Sequence, residues 1–369
     1  MMQLIFFAIY VLILLLGHAI FGYIFVKLFH IVALRGQVIA GLIILFLFLS
    51  TVIASYLIHK WDNVFTRSYY TLAGFWIGLL ANFGVMMLFI LLIKLASFIP
   101  GINPSILLYK LVFLFGAILL SIYGVYGALF PKVTEYEVFI KDLPDSWNNK
   151  VVVQISDVHL GPVHRERSFA RLLTKVQSLN PEAVFITGDL FDGMESDFSW
   201  LNRPFSKMQV PKGIYYSFGN HDLYLGFNRA IELLKGNPVI ILDNKMSVVD
   251  GLQIIGINYS FNKDFDLESA ILKQVSYDKA KPSILLFHEP KNIELAKNAE
   301  IDLQLSGHTH DGQLWPFNLI AKLAYKGYGY GLFNEGDFSL IVNGGAGTWG
   351  PPMRTSSRSE IVKIILKKK

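Results

Sequence analysis

Four long apolar runs fill the first 130 residues, with few charges among them. A helix needs about 20 consecutive apolar residues to cross the hydrocarbon core of a bilayer. The runs at 4–29, 38–58, 69–99 and 106–130 all reach that length. Between them stand Lys27 and Arg35, then Lys60, Asp62 and Arg67, then Pro100, Gly101 and Pro104. The third run is longer than an upright span requires, which predicts tilt or a break. The first exceeds the ~7–15-residue core of a secretory signal and has no basic stretch before it, so it reads as a span and not as a cleaved leader. Tyr23, Trp61, Tyr69 and Tyr70 lie near predicted ends, where aromatic rings favour the headgroup layer. His18 and Asn82 are polar residues inside the runs. The expectation for both is a helix–helix hydrogen bond, although an intramembrane polar group can also mark a pathway.

The chain therefore divides into a transmembrane bundle at 1–132 and a second domain at 133–369. Hydrophobic residues make up 53% of the sequence, and the mean hydropathy of +0.44 is too high for an ordinary soluble enzyme. Past Pro131, short apolar stretches alternate with Gly, Pro, Asn and Asp, the pattern of an α/β domain. Residues 141–150 read as a loop leading to the core strands, and the closing lysines 367–369 as a solvated tail. Cysteine is absent, which excludes disulfides, thiolate zinc sites and cysteine nucleophiles. The net charge of +5 suits contact with anionic lipid, and no nucleic-acid-binding motif accompanies it.

One arrangement recurs in the second domain: a short buried-strand run followed at once by a residue able to bind metal. Residues 151–155 lead to Asp157 and His159, and 183–187 to Asp189. Residues 214–218 lead to Asn220 and His221, 284–287 to His288, and 303–305 to His308 and His310. Helical stretches are predicted between them at 167–179 and 228–234. Open α/β sheets bind ligands where strands end. Asp157, His159, Asp189, Asn220, His288, His308 and His310 offer only oxygen and imidazole nitrogen, a donor set that suits Mn²⁺, Fe or Zn²⁺. Seven donors exceed the needs of one tetrahedral zinc. They suit two metals sharing a carboxylate, the arrangement that clamps attacking and leaving oxygens during displacement at phosphorus. Any one of these short motifs alone is an ordinary turn; it is their order, each after a strand, that carries the reading.

The series DVH at 157–159, GDLFDG at 188–193, GNHD at 219–222, His288 and GHTH at 307–310 resembles the calcineurin-like metallophosphoesterase superfamily over residues 150–360. GHTHDGQ and NGGAGTWGPPMR further resemble a bacterial branch of membrane-associated phosphodiesterases that includes enzymes cleaving UDP-2,3-diacylglucosamine. Asp311 departs from the usual glycine of that branch. The resemblance implies mixed β-sheets packed as a sandwich flanked by helices, and two divalent ions, manganese foremost, with iron or zinc as alternatives. It implies that Asp157, His159, Asp189 and His310 hold one metal and that Asp189, Asn220, His288 and His308 hold the other. It makes His221 a phosphoryl contact and proton donor and Asp192 the residue that orients it; Arg354 matches a rim arginine. His164, near the first motif, reads as a loop residue. Gly193 stands where the family's protein phosphatases carry an arginine. Losing that dianion grip favours a diester or pyrophosphate over a phosphoprotein monoester.

The expected function is hydrolysis of a phosphoester in a membrane lipid or lipid-linked envelope precursor. A broad phosphodiesterase acting on nucleotides or wall polymers, with the bundle only as anchor, is the alternative enzyme. A sensor or transporter-like bundle regulating the hydrolase is the alternative of another class, disfavoured by the scarcity of ionisable residues in the spans. Lys27, Arg35, Lys94 and Lys110 balance Lys60, Arg67, Lys132 and Lys141 across the two sets of loops, so the positive-inside rule does not orient the chain. Nucleotide-linked substrates favour a multi-pass protein of the bacterial inner membrane with a cytoplasmic catalytic domain. Finally, residues 314–333 (LWPFNLIAKLAYKGYGYGLF) interleave aromatic and aliphatic residues with lysines. Both a headgroup-level surface and core packing are open to them.

Overall fold

The computed structural model describes residues 2–261 and 275–369. They form two compact units, one running from the first helix to Val125 together with Gly350–Thr355, the other made of Tyr126–Trp349 and Ser356–Lys369.

In the first unit, α1 (Met2–Leu28), α2 (Leu34–Lys60) and α3 (Val64–Ala96) are followed by α4 (Ile106–Leu111), a π-helical turn at Val112–Gly116 and α5 (Ala117–Leu129). Among the described residues these provide four helices long and apolar enough to cross a membrane: Ala8–Leu28, Leu34–Lys60, Val64–Ala96 and Ile106–Leu129. Phe46 and Leu119 are 66% and 63% exposed, an arrangement that lipid tolerates and water penalises. The third helix is unbroken. Its start is fixed by Asn63, which accepts from Phe65 N and Thr66 N while its own N–H donates to Thr66 Oγ1, a reciprocal cap. The local irregularity falls in the fourth span instead, at the π turn.

The buried polar residues join helices, as expected of them. Trp76 Nε1 donates to His18 Nε2 at 2.8 Å, linking α3 to α1. Asn82 Nδ2 donates to Ser121 Oγ at 2.9 Å, linking α3 to α5. Phe21, Phe83 and Phe113 stack between them. The segment Gly350–Thr355 packs with these helices: Arg354 N donates to Gly124 O at 2.8 Å, Asn82 Nδ2 also reaches Met353 Sδ, and Met353 and Arg354 are fully buried.

The second unit is the expected mixed α/β fold. Its strands are β1 (Lys132–Ile140), β2 (Val151–Ile155), β3 (Ala183–Thr187), β4 (Ile214–Ser217), β5 (Val239–Ile241), β6 (Lys245–Val249), β7 (Leu252–Ile257), β8 (Ser283–Phe287), β9 (Leu303–Ser306), β10 (Gly331–Glu335), β11 (Phe338–Val342) and β12 (Glu360–Lys368). Its helices are α6 (Glu166–Gln177), α7 (Asn202–Phe205), α8 (Asn220–Leu225), α9 (Phe227–Leu234), α10 (Ile293–Asn298) and α11 (Phe317–Ala324). The strands make two six-stranded sheets, ordered β1-β12-β2-β3-β4-β5 and β10-β11-β9-β8-β7-β6. Val152, Phe185 and Tyr215 of the first pack on Ile254, Ile284 and Leu305 of the second to form the inner core. Burial of successive residues, and so of both sheet faces, explains why these strands read as continuous apolar runs. Parallel pairing of β2-β3-β4 and of β7-β8-β9 brings the carboxyl ends of each set to a common edge.

A Cβ on Gly124 would lie 2.9 Å from Thr355 Cγ2 and 3.1 Å from Met353 Cβ, whereas one on Gly41 would meet nothing within 4 Å. Gly124→Ala is therefore expected to destabilise the protein by about 1–3 kcal/mol through overpacking and to speed proteolysis within 350–355. Gly41→Ala should leave both unchanged. Thermal melts and limited proteolysis in detergent check this, and equal behaviour of the two variants would refute the packing assigned to Gly350–Thr355.

Candidate metal centre

Each candidate residue sits just past the carboxyl end of a strand, and the backbone there is bent hard. Asp157, His159, Asp189, His308 and His310 all have positive φ, between 50° and 69°. Non-glycine residues in that region cost about 1–3 kcal/mol each and gather at functional sites. The left-handed turn lets a buried strand stop and aim its next side chain across the sheet edge. Asp311 also adopts φ 48°, which a short polar side chain tolerates.

The side chains converge. The ligand atoms of Asp157, His159 and His310 lie within 4.8 Å of one another, as do those of Asp189, His288 and His308, and those of His159, Asp189 and His221. His159 Nε2 is 3.0 Å from His310 Nε2, and His308 Nδ1 is 3.2 Å from His288 Nε2. Asp189 Oδ2 stands 3.1 Å from His288 Nε2 and 3.9 Å from His159 Nε2, so Asp189 lies between the two groups. Asn220 Oδ1 is buried and accepts no hydrogen bond. Inward-facing ring nitrogens and an unsatisfied amide oxygen beside two carboxylates fit divalent cations better than a closed hydrogen-bond network, which would pair each acceptor with a donor.

The electrostatics agree. Burial alone would raise the carboxyls of Asp157 and Asp189, but the surrounding histidines hold both well below the usual range. Burial pushes His159 and His308 down to about 4, leaving their lone pairs available. Burial opposes protonation of His288 too, yet the Asp189 and Asp157 carboxylates outweigh it and push this imidazole up to about 10. A cation entering here would displace that proton. His288 Nδ1 is within 2.7 Å of Thr187 O, which fixes the tautomer and turns Nε2 toward the cluster.

His221 stands at the mouth. Its Nδ1 donates to the main-chain carbonyl of Asp192 at 2.9 Å, and its ring lies edge-on to the exposed rings of Tyr224 and Trp349. The Asp192 carboxylate is 3.2 Å from His159 Nδ1, so Asp192 meets both histidines, one by its backbone and one by its side chain. His164 Nε2 accepts from Thr348 N at 3.0 Å and tethers two loops. Arg354 belongs to the segment packed with the helices described above.

Asp222 closes the GNHD motif with no role read for it from the sequence, yet it organises the site. It is fully buried and accepts from Asp189 N, Gly219 N and Phe191 N at 2.8, 2.8 and 3.0 Å. Burial and the nearby Asp189 push its carboxyl up to about 7. Its local signature is an acid at the third position of a glycine-capped helix. Gly219 is required by close approach, since a Cβ there would meet Asp189 Oδ1 at 2.2 Å.

If Asp189 joins two metals, Asp189→Asn should cut bound metal to about half of wild type or less, because its charge and bridging oxygen are lost together. His221→Ala should keep the wild-type content. Elemental analysis of both purified variants checks this, and the reverse outcome would invert the roles given to the two residues.

The calcineurin-like phosphoesterase family profile matches residues 150–312. An uncharacterized metallophosphoesterase of Campylobacter jejuni is 34% identical over 272 residues, covering 71% of this chain and 72% of that protein. An uncharacterized metallophosphoesterase of Aquifex aeolicus is 31% identical, covering 69% of this chain and 99% of that protein. A Danio rerio transmembrane protein with metallophosphoesterase domain is 34% identical, covering 67% of this chain and 60% of its own length. Strand-end aspartates and histidines gathered in one cluster, four apolar helices and these relatives lead to one statement: the chain belongs to the calcineurin-like phosphoesterase family, as a membrane protein carrying a metal-dependent phosphoester hydrolase domain.

Proposed function

We propose that the protein hydrolyses a phosphodiester or pyrophosphate in a membrane lipid or lipid-linked envelope precursor, of the class of a UDP-linked acyl sugar. The observation that carries this reading is the surface of α11. Phe317, Leu319, Ile320 and Leu323 are 48–80% exposed, and no residue of the helix is buried. Core packing therefore does not account for this apolar stretch. The helix begins seven residues after His310 in the chain, and the ring of Tyr325, just past its end, lies 6.1 Å from that of His308. An apolar helix carrying Lys322 suits the headgroup–acyl boundary, where a lipid tail could stay while its phosphate reaches the cluster. The exposed rings of Tyr224, Phe261 and Trp349 extend the apolar rim on the side of His221.

Two divalent ions, for which manganese fits the oxygen and imidazole donors, would supply Lewis-acid charge and an activated water for attack at phosphorus. Asp157, His159, Asp189 and His310 would hold one and Asp189, Asn220, His288 and His308 the other. The remaining work falls to side chains of the rim. His221, held through Nδ1 by the Asp192 carbonyl, presents Nε2 to the phosphoryl group and gives the leaving oxygen its proton. Gly193 has φ 85°, and a Cβ there would meet Tyr224 Cβ at 3.1 Å and His221 Nδ1 at 3.3 Å. An arginine clamp is thus disfavoured at this position both by backbone and by space, which supports a diester over a dianionic monoester. A nucleotide-linked substrate would favour a catalytic domain on the cytoplasmic face of a bacterial inner membrane.

With Mn²⁺ supplied, bis-(p-nitrophenyl) phosphate is expected to be cleaved faster than p-nitrophenyl phosphate, and a clear preference for the monoester would sink the diester reading. The double variant Phe317→Asp with Leu323→Asp should lower turnover of a long-chain UDP-linked lipid by about tenfold or more, since each charge opposes insertion at the interface. Cleavage of the small soluble diester should persist. Equal loss on both substrates would remove lipid access from the account.

A further inference from the structure

The last turn of the fourth span and α6 border a cavity of about 360 Å³ in the second unit. Its fixed charges are Arg171, Lys175 and Arg358, and among the described residues no aspartate or glutamate lines it. Among the described residues no carboxylate forms an ion pair with any of the three. Two of these cations are held in place. Arg358 donates from Nε and Nη2 to Phe130 O at 3.1 and 2.6 Å, with its guanidinium 5.2 Å from the centre of the Tyr126 ring. Lys175 Nζ donates to Pro131 O.

The depth of this cavity follows from the span. Ile106–Leu129 is 24 residues long, roughly 36 Å at ~1.5 Å per residue, against a hydrocarbon core of about 30 Å. A span of that length has room for its last turn, with Tyr126 and Phe130, at the level of the lipid headgroups. Capping of the helix carboxyl end by cations accounts for the contacts of Arg358 and Lys175. It does not account for Arg171, whose guanidinium among the described residues reaches only the Arg167 carbonyl of its own helix, nor for the open volume between the three. A basic recess with aromatic and aliphatic walls at headgroup depth matches the phosphate of an anionic lipid, which Arg and Lys bind through charge-assisted hydrogen bonds.

We infer that this cavity binds the phosphate headgroup of an anionic phospholipid, at a site separate from the metal cluster. The inner wall includes Val158 and Gly347, and Gly347 N donates to Asp157 O at 2.8 Å, so the bound headgroup would rest behind the loop that carries Asp157 and His159. The site does not depend on the substrate proposed above, and its test reads binding and not hydrolysis.

The full-length protein is reconstituted in nanodiscs of phosphatidylcholine doped with phosphatidylglycerol, and co-purifying lipid is counted by native mass spectrometry. Wild type should retain phosphatidylglycerol in preference to phosphatidylcholine. Arg171→Gln with Lys175→Gln should lower that retention by about tenfold or more, while the exposed pair Lys207→Gln with Lys235→Gln keeps it. If the first double variant melts early in pure phosphatidylcholine, Arg171→Gln alone, at an exposed position, must still lower retention at least about twofold. Equal retention of both lipids by wild type, or equal phosphatidylglycerol retention by all variants, would overturn the site. Stabilisation of the wild type by inorganic phosphate alone to the same extent as by phosphatidylglycerol would overturn the assignment to lipid.

Discussion

Two ionised carboxylates, Asp157 and Asp189, are buried completely at the joined edges of two sheets. Charges so placed are costly unless countered nearby, and the second unit is arranged around countering them. Three histidines, His159, His288 and His310, surround the pair at 3.1–3.9 Å. Backbone N–H groups add to this, with His221 N donating to Asp189 and His308 N to Asp157. The loops that deliver these groups take left-handed turns that only a firmly held framework maintains. Parallel pairing of the inner strands supplies that framework, and Asp222 locks the β3 and β4 loops to each other. The same carboxylates hold a proton on His288, and a cation that displaces it completes the charge balance. The site is better suited to metal than to any arrangement of protein groups alone.

Much of this was legible in the sequence. The strands that position the cluster are short apolar runs stopped by Gly, Asn or Asp, and such punctuation survives in a linear string. The ligand types were legible because oxygen and imidazole donors recur after each run. The role of Asp222 was not, because its partners are backbone N–H groups of loops and leave no side-chain signature. Asp192 was read as a partner of His221, and the fold reveals a second contact, from its carboxylate to His159, that depends on how two loops fold back. Composition alone could not separate an exposed α11 from a core helix, since both are apolar; its exposure shows that it is not core.

The helical unit follows different physics. Its apolar surface needs no burial against protein, so small residues and polar cross-links determine how the helices meet. His18 and Asn82 serve as those links. Gly124 leaves room for Met353 and Arg354, residues more than two hundred positions away in the chain, and that proximity has no local pattern from which to be read. The long third run, for which tilt or a break was expected, is one unbroken helix, and the π turn lies in the fourth span at Val112–Gly116; length alone does not locate such a defect, because a long helix can tilt without breaking.

The account depends most on two cations sharing the Asp189 carboxylate. Anomalous diffraction from crystals of the full-length protein grown with Mn²⁺ tests this most directly. Two peaks are expected, roughly 3.5–4 Å apart, with Asp189 between them, Asp157, His159 and His310 on one, and Asn220, His288 and His308 on the other. A single peak at full occupancy, or two that do not share Asp189, would contradict it.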